Sequence, residues 1–169
     1  MHFKEGDLAT ADSLLHEALE GRRRTLGTDH PDVANSLRWL SELRREQGRF
    51  DEAEVLGREA LALFEQTFPP GHTRIGEAQI CLGAALVESG RPDDAVPLLR
   101  DALQTREAAL PAGGLPIAEA RVWLGPALAR AGEAAEGRRL LEAALADYAA
   151  AERMDEAEAV RARRELARM

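Results

Sequence analysis

Two stretches of this sequence place histidines and carboxylates at spacings that could bind a metal ion or transfer protons. The stretch HEALE puts His16 and Glu20 one helical turn apart, as on the metal-binding helix of zinc proteases. In the stretch TDHPD, His30 lies between two aspartates and is followed by proline. Because imidazoles and carboxylates serve as zinc ligands and as general acids and bases, each stretch is a candidate site.

The sequence repeats itself, and the repeat indicates which elements carry these residues. Gly6, Gly48, Gly90 and Gly132 recur every 42 residues without a gap, and columns of leucine and alanine keep the same register between them. Each period contains two apolar patterns with spacings of three and four residues, one on either side of the glycine. This arrangement is typical of two helices joined by a tight turn, so each period predicts a helical hairpin.

The same register removes the case for chemistry at the histidines. His30 aligns with His72 and then with Gly114, so the third repeat has no ligand at that position. His16 aligns with two arginines and a glutamate, which indicates that this position is exposed to solvent in each repeat. The aligned segments share a helix start instead, in which a polar residue or glycine caps the helix and Pro31 has no amide to satisfy. We therefore predict helix caps here and no metal site.

Other sequence patterns of catalysis and cofactor binding are missing. There is no Gly-x-Ser-x-Gly, Cys81 has no histidine at a recognisable spacing, and no glycine-rich loop precedes a lysine, so we predict neither an enzyme nor a cofactor. A net charge of −8 argues against binding to nucleic acid. No apolar run suits a membrane span or a signal peptide. The composition thus favours a cytoplasmic protein that binds neither nucleic acid nor membrane.

Composition and repeat together predict the fold class. Alanine and leucine dominate the apolar residues and only 4% of residues are aromatic, which favours an all-α protein. The small residue after leucine in WLSEL, CLGAAL and WLGPAL allows a neighbouring helix to approach closely. Hairpins that bury their apolar stripes against the next hairpin form a right-handed α-solenoid of antiparallel helical hairpins, with a concave and a convex face.

The register also divides residues 1–169 into parts of a single array. Residues 1–29 are a leading half-repeat that contains a second helix from about 7 to 26, and residues 1–5 fall where a first helix ends. Three full repeats follow at 30–71, 72–113 and 114–152, and a closing helix lies within 153–169. On this division the array is cut within a unit at both ends.

The stretch LGTDHPDVANSLRWLSELRREQGRFDEAEVLGREALALFEQTF resembles a tetratricopeptide repeat of the 42-residue type, which occurs in kinesin light chains and in many bacterial proteins. The resemblance rests on the His-Pro loop, the leucine followed by a small residue, the glycine turn and the alanines of the second helix. It extends from about Gly6 to Met169. A further stretch, REALALFEQTFPPGHTRIGEAQICLG, is similar to arrays that follow the kinase domain in bacterial serine/threonine kinases.

The resemblance implies that the first helices line a concave groove that receives a peptide or a helix of a partner protein. Apolar contacts are expected near Ile80, Val87 and Val122, and acidic groups of the partner near Arg38 and Arg45. Aligned columns give the lining as Asn35, Arg38, Trp39, Glu42, Arg45, Glu77, Ile80, Cys81, Ala84, Val87, Glu119, Val122, Trp123, Pro126 and Arg130.

Three questions remain open at the level of sequence. Trp39, Cys81 and Trp123 share one column that borders both faces, so these side chains could line the groove or pack between helices. The array could instead be a regulatory or scaffold segment of a larger bacterial signalling protein, such as a kinase. It could also form a homo-oligomer through its terminal half-repeats, where Ala11 and Leu15 lack a covering helix.

Overall fold

The structure is a computed structural model that describes residues 5–169, with the side chains of residues 5–7 and 9 left out. This part of the chain contains α-helices and no strand, which confirms the all-α prediction. The sequence predicts that a first helix ends within residues 1–5. Residues 1–4 of this segment lie outside the described residues. The helices are α1 Glu5–Leu26, α2 Pro31–Glu46, α3 Phe50–Thr67, α4 Thr73–Glu88, α5 Pro92–Ala109, α6 Leu115–Arg130, α7 Ala134–Ala150 and α8 Ala157–Leu166.

The recurring glycines close the turn inside each hairpin. Gly48, Gly90 and Gly132 have φ of 73°, 84° and 96°, a left-handed conformation that glycine adopts without steric cost. After Gly48, the amide of Arg49 donates to the carbonyl oxygen of Arg44 at 2.8 Å, and the other two turns repeat this bond. This hydrogen bond is typical of a helix that ends at a residue in the left-handed conformation. The 42-residue repeat of the sequence is therefore the spacing of these turns.

The predicted helix caps are confirmed. His30 is the N-cap of α2, and its Nδ1 accepts from the amide of Asp32 at 3.1 Å. His72 caps α4 in the same way at 3.2 Å, and Gly114 is the N-cap of α6 without a side chain to contribute. The imidazoles therefore satisfy amides that the first turn of a helix leaves without partners.

Small residues let the two helices of a hairpin pack closely, as predicted. A Cβ at Gly83 would lie 2.6 Å from Cγ of Leu99 in α5, and one at Gly125 would lie 2.6 Å from Cγ of Leu141 in α7. A Cβ at Gly137 would overlap the carbonyl oxygen of Gly125. Because a Cβ would meet a leucine side chain or the facing helix backbone, these positions accept only the smallest residues.

Contacts between helices define the two faces of the array. We call α2, α4, α6 and α8 the first helices and α1, α3, α5 and α7 the second helices. Each first helix contacts the next first helix, whereas no second helix in the described part contacts another second helix within 8 Å between Cα atoms. The first helices therefore lie on the inner, concave side. Within residues 5–169, no helix has the length and apolar character needed to cross a membrane.

Candidate partner-binding groove

A cavity of about 490 Å³ lies on the concave face, between α2, α4 and α6. We call it the groove. Residues of α5 and of the loop after it complete the wall, so a second helix also contributes. The lining consists of Arg38, Glu42, Arg45, Thr73, Arg74, Glu77, Ile80, Cys81, Ala84, Arg106, Leu110, Pro116, Glu119 and Trp123.

Most of the predicted lining borders this cavity, although which residues bind a partner stays a prediction. The residues in common are Arg38, Glu42, Arg45, Glu77, Ile80, Cys81, Ala84, Glu119 and Trp123. Asn35 and Trp39 lie outside the lining, and Trp39 is 42% exposed. Val87 and Arg130 border a separate cavity with Glu88 and Arg161.

Six residues of the predicted lining are buried, and two of them, Val122 and Pro126, line neither of these cavities. Val122 has no exposed surface and packs in one cluster with Tyr148 of α7 and with Ala159 and Ala162 of α8. Pro126 is also buried within α6. The aligned columns treated all first helices as equivalent, but α8 contacts α6, and Val122 packs in a cluster with its alanines. Neither residue is available to a partner in this conformation.

Sequence reasoning missed three arginines that shape the concave face. Arg106 extends from α5, which is a second helix, whereas the predicted lining was taken from aligned positions of the first helices only. Arg74 lies in the first turn of α4 and lines the groove. Arg161 of α8 shares the column of Glu77 and Glu119, and extending the register by one more period would have found it.

Most of the groove arginines are already paired with carboxylates. Nε of Arg38 lies 3.9 Å from Glu77 Oε2, and its guanidinium carbon lies 4.3 Å from the ring centroid of Trp39. Arg74 donates to Glu77 at 3.3 Å and to the side-chain oxygen of Asn35 at 3.1 Å. Arg106, whose side chain is almost fully buried, donates to Glu119 at 2.8 Å and to the carbonyl oxygen of Pro116.

A cluster of charge and aromatic surface closes one end of the groove. Arg45 donates to Glu88 at 3.0 Å, and Arg161 donates to the other carboxylate oxygen of Glu88 at 2.9 Å from both Nη atoms. The guanidinium carbon of Arg161 lies 3.6 Å from the ring centroid of Trp123, which is 7% exposed. Burial lowers the pKa of Arg161, and the charge of Glu88 opposes that effect. Both tryptophans thus lie beneath an arginine, but Trp123 is buried whereas Trp39 stays 42% exposed.

Glu42 differs from the other carboxylates of the groove. No hydrogen bond or ion pair within 4 Å joins it to any residue that the structure describes. Burial raises the pKa of Glu42, and the positive charges of Arg45 and Arg38 offset part of that rise. A half-buried carboxylate with no partner is a site where a cation or a hydrogen-bond donor is favoured.

The remaining groups that could carry chemistry have structural contacts. Burial raises the pKa of the Cys81 thiol, and its Sγ lies 3.3 Å from Ser41 Oγ and 3.5 Å from the carbonyl oxygen of Arg38. His16 contacts Asp12 of its own helix, at 3.1 Å from Nδ1 to Oδ1. Among residues 5–169, no group of three or more histidines, cysteines and carboxylates could hold a metal ion.

Stacked helical hairpins, with the inner helices lining a cavity, define this chain as a helical-repeat solenoid. Tetratricopeptide-repeat models match residues 1–66, 38–108 and 82–146. The chain belongs to the tetratricopeptide repeat family, whose members generally mediate protein–protein interactions. The fold is the right-handed solenoid that the sequence predicts.

Solved structures of kinesin-light-chain type are similar to this chain. One contains nearly identical TPR-like repeats from a Podosopora anserina protein assigned to the kinesin light chains. It is 24% identical, with a TM-score of 0.75, and the match covers 96% of this chain and 77% of that one. Another is BtubC (BKLC) from P. vanneervenii, at 22% identity and a TM-score of 0.71, covering 98% and 75%. At these identities the likeness concerns the fold alone. No curated protein matches the sequence.

Proposed function

We propose that this chain is a protein-interaction module that holds a peptide or a helix of a partner protein in the groove. The observation that carries the proposal is the cavity of about 490 Å³ on the concave face, with its mixed apolar and charged lining. Concave sites with a few oriented polar groups are where ligands usually bind. The family supports a protein as the ligand. The proposal assigns no catalytic step to any residue.

The contacts expected of the partner differ from those that the sequence alone predicts. Val122 has no exposed surface and Val87 borders a separate cavity, so neither provides an apolar contact in the groove. Ile80 and Ala84 are only 4% and 2% exposed, but they border the groove and take that role in the proposal. Arg45 already has carboxylate partners in Glu88 and Glu46, which makes it a poor site for an acidic group of the partner.

The test is a pull-down from the source lysate with identification by mass spectrometry. We would compare the native chain with a groove variant, Arg38→Glu with Arg74→Glu, and with a control variant, Arg138→Glu with Arg139→Glu. The control changes the net charge equally but lies on the exposed side of α7. Circular dichroism would show that both variants are folded.

We expect proteins that the native chain and the control variant retain equally and that the groove variant retains to a clearly different extent. A protein retained equally by all three chains, or changed only by the control variant, would contradict binding in the groove. Charge reversal is suited to this test because it changes the electrostatic complementarity of the groove, weakening the binding of an acidic segment and strengthening that of a basic one.

Self-association is a second candidate, which we infer from exposed apolar surface on α1. Leu14 is 60% exposed, while Ala11, Leu15 and Ala18 are half-buried. A large exposed leucine next to partly covered apolar residues favours contact with another copy. Sedimentation at rising concentration should then show a mass above one chain that Leu14→Glu restores to one chain. A mass of one chain at every concentration would exclude this candidate.

A further inference from the structure

The ion pairs of the concave face leave one carboxylate outside them. Arg38 and Arg74 share Glu77, Arg106 pairs with Glu119, and Arg45 and Arg161 share Glu88. Among the described residues that line the groove, Glu42 is the charged side chain with no ion pair within 4 Å and no hydrogen bond. Glu42 is therefore the carboxylate of the groove that no arginine pairs with, although the Nε of Arg38 also lacks a hydrogen-bond partner.

Two arginines on the same helix could have neutralised Glu42 but are directed elsewhere. Arg38 lies four residues before Glu42 and Arg45 three residues after it, which are spacings at which helical ion pairs form. Arg38 is instead placed over the ring of Trp39 and towards Glu77. Arg45 donates to Glu88 of the next repeat. A carboxylate of the next repeat thus holds Arg45, whereas Arg38 lies over an aromatic ring of its own helix.

The surroundings of Glu42 suit a long side chain with a charged end. Ile80, Cys81, Ala84 and Trp123 form an apolar wall of the same cavity; Cys81 is half-buried, and the other three are buried apart from the small surface that they turn to the cavity. The alkyl part of a lysine or an arginine can pack along such surface while its head group reaches an anion. Burial raises the pKa of Glu42, and the positive charges of Arg45 and Arg38 offset only part of that rise. The net charge of −8 also attracts a basic segment at long range.

We propose that the partner inserts a lysine or arginine side chain into the groove, where its cationic head pairs with Glu42 and its alkyl part packs on Ile80 and Ala84. This inference rests on the proposed function, because it names the chemistry of the partner that the groove holds. It reverses the expectation from sequence, which placed acidic groups of the partner near Arg38 and Arg45. The partner is a basic peptide segment rather than an acidic one.

The experiment selects peptides from a random linear library displayed on phage, using three chains as bait. They are the native chain, Glu42→Gln, and Glu142→Gln as a control in which an exposed carboxylate of α7 is neutralised. We expect the native chain and the control to select peptides with lysine or arginine enriched at one position, and Glu42→Gln to select without that enrichment. The glutamine is nearly isosteric, and circular dichroism would verify folding.

A double-mutant cycle with the selected consensus peptide tests directly whether its basic residue pairs with Glu42. Replacing its basic residue by norleucine should weaken binding to the native chain at least about tenfold, since truncating one partner of a buried charge pair has a large effect. The same replacement should leave binding to Glu42→Gln nearly unchanged, because the two changes remove one interaction.

The outcomes separate this inference from the function on which it rests. Selection of acidic or uncharged peptides by the native chain would overturn the inference while leaving the groove as a binding site, and so would basic enrichment that persists with Glu42→Gln. If the native chain selects no peptide, or if the groove variant Arg38→Glu with Arg74→Glu binds the selected consensus peptide with unchanged affinity, the groove proposal itself fails.

Discussion

At the scale of single residues, His30 illustrates how a residue typical of active sites can serve the fold. Its imidazole accepts the amide of Asp32, which would otherwise lack a partner in the first turn of α2. We predict that His30→Ala lowers the free energy of unfolding by about 0.5–2 kcal/mol, as removal of an N-cap usually does. Urea unfolding followed by circular dichroism would measure the loss.

The matched control is His30→Asp, which keeps an acceptor at the N-cap and should retain most of the stability. If His30→Ala were as stable as the native chain, the hydrogen bond would contribute nothing and the imidazole would need another explanation. A loss shared equally by His30→Asp would point to a contact of the imidazole ring rather than to capping.

Glu42 should lower stability at neutral pH, since burial raises its pKa and the folded state must hold its ionised form. Arg45 and Arg38 reduce this cost and Glu119 adds to it. We predict that Glu42→Gln unfolds at a higher urea concentration than the native chain at pH 7. Below the ordinary carboxyl pKa of about 4.3, Glu42 is protonated in both states and the difference should disappear.

The measurement is a series of urea titrations of both chains from acidic to neutral pH. The difference between them should grow as the pH rises from the ordinary glutamate pKa through the raised value in the folded state. A difference that is constant with pH would contradict an unpaired carboxylate at this position. A gain in stability combined with loss of basic peptides would indicate that Glu42 serves binding rather than folding.

At the scale of the elements, the α6–α7 hairpin depends on two glycines that face each other. Alanine normally favours a helix over glycine by about 1 kcal/mol, but a Cβ at Gly137 would overlap the backbone of Gly125. We predict that Gly137→Ala is destabilising, by about 1–3 kcal/mol, because the overlap forces the helices apart. Thermal and urea unfolding would measure this effect.

Gly21 is the matched control, because it lies inside α1 and a Cβ there would meet nothing within 4 Å. Gly21→Ala should therefore stabilise the chain slightly, by about 0.5–1 kcal/mol. Opposite signs for the two substitutions would show that packing, and not helix propensity, determines the residue at 137. Equal and stabilising effects would contradict the close approach of α6 and α7.

At the scale of the whole molecule, the helices of residues 5–169 come within 8 Å between Cα atoms only as chain neighbours or as successive first helices, and side-chain contacts such as Arg161–Glu88 reach one first helix further. Stability in such a solenoid is the sum of local terms, so a disturbance should fade along the chain. We predict that Gly137→Ala increases amide hydrogen exchange most in α6, α7 and α8, less in α4 and α5, and least in α1 and α2. Hydrogen exchange with mass spectrometry would test this gradient. A uniform increase would indicate a single cooperative unit instead.

The sequence alone determined the fold and much of its detail, because the responsible interactions are local and recur every 42 residues. Glycine permits the left-handed turn at Gly48, apolar spacings of three and four produce the helices, and the register locates the caps at His30 and His72. It also indicated most of the groove lining, since residues at one helical position share a face. The boundaries of the individual repeats stay a prediction.

Only the tertiary structure decided which residues at one repeat position border the groove and which charged side chains have no ion pair. Ile80 and Val122 share a column, yet Ile80 borders the cavity while Val122 is covered, because it packs in a cluster that includes alanines of α8. Glu42 is unpaired because Arg45 donates to Glu88, a residue of the next repeat. Such outcomes depend on the reach and orientation of side chains from other helices, which a periodic pattern along one chain does not contain.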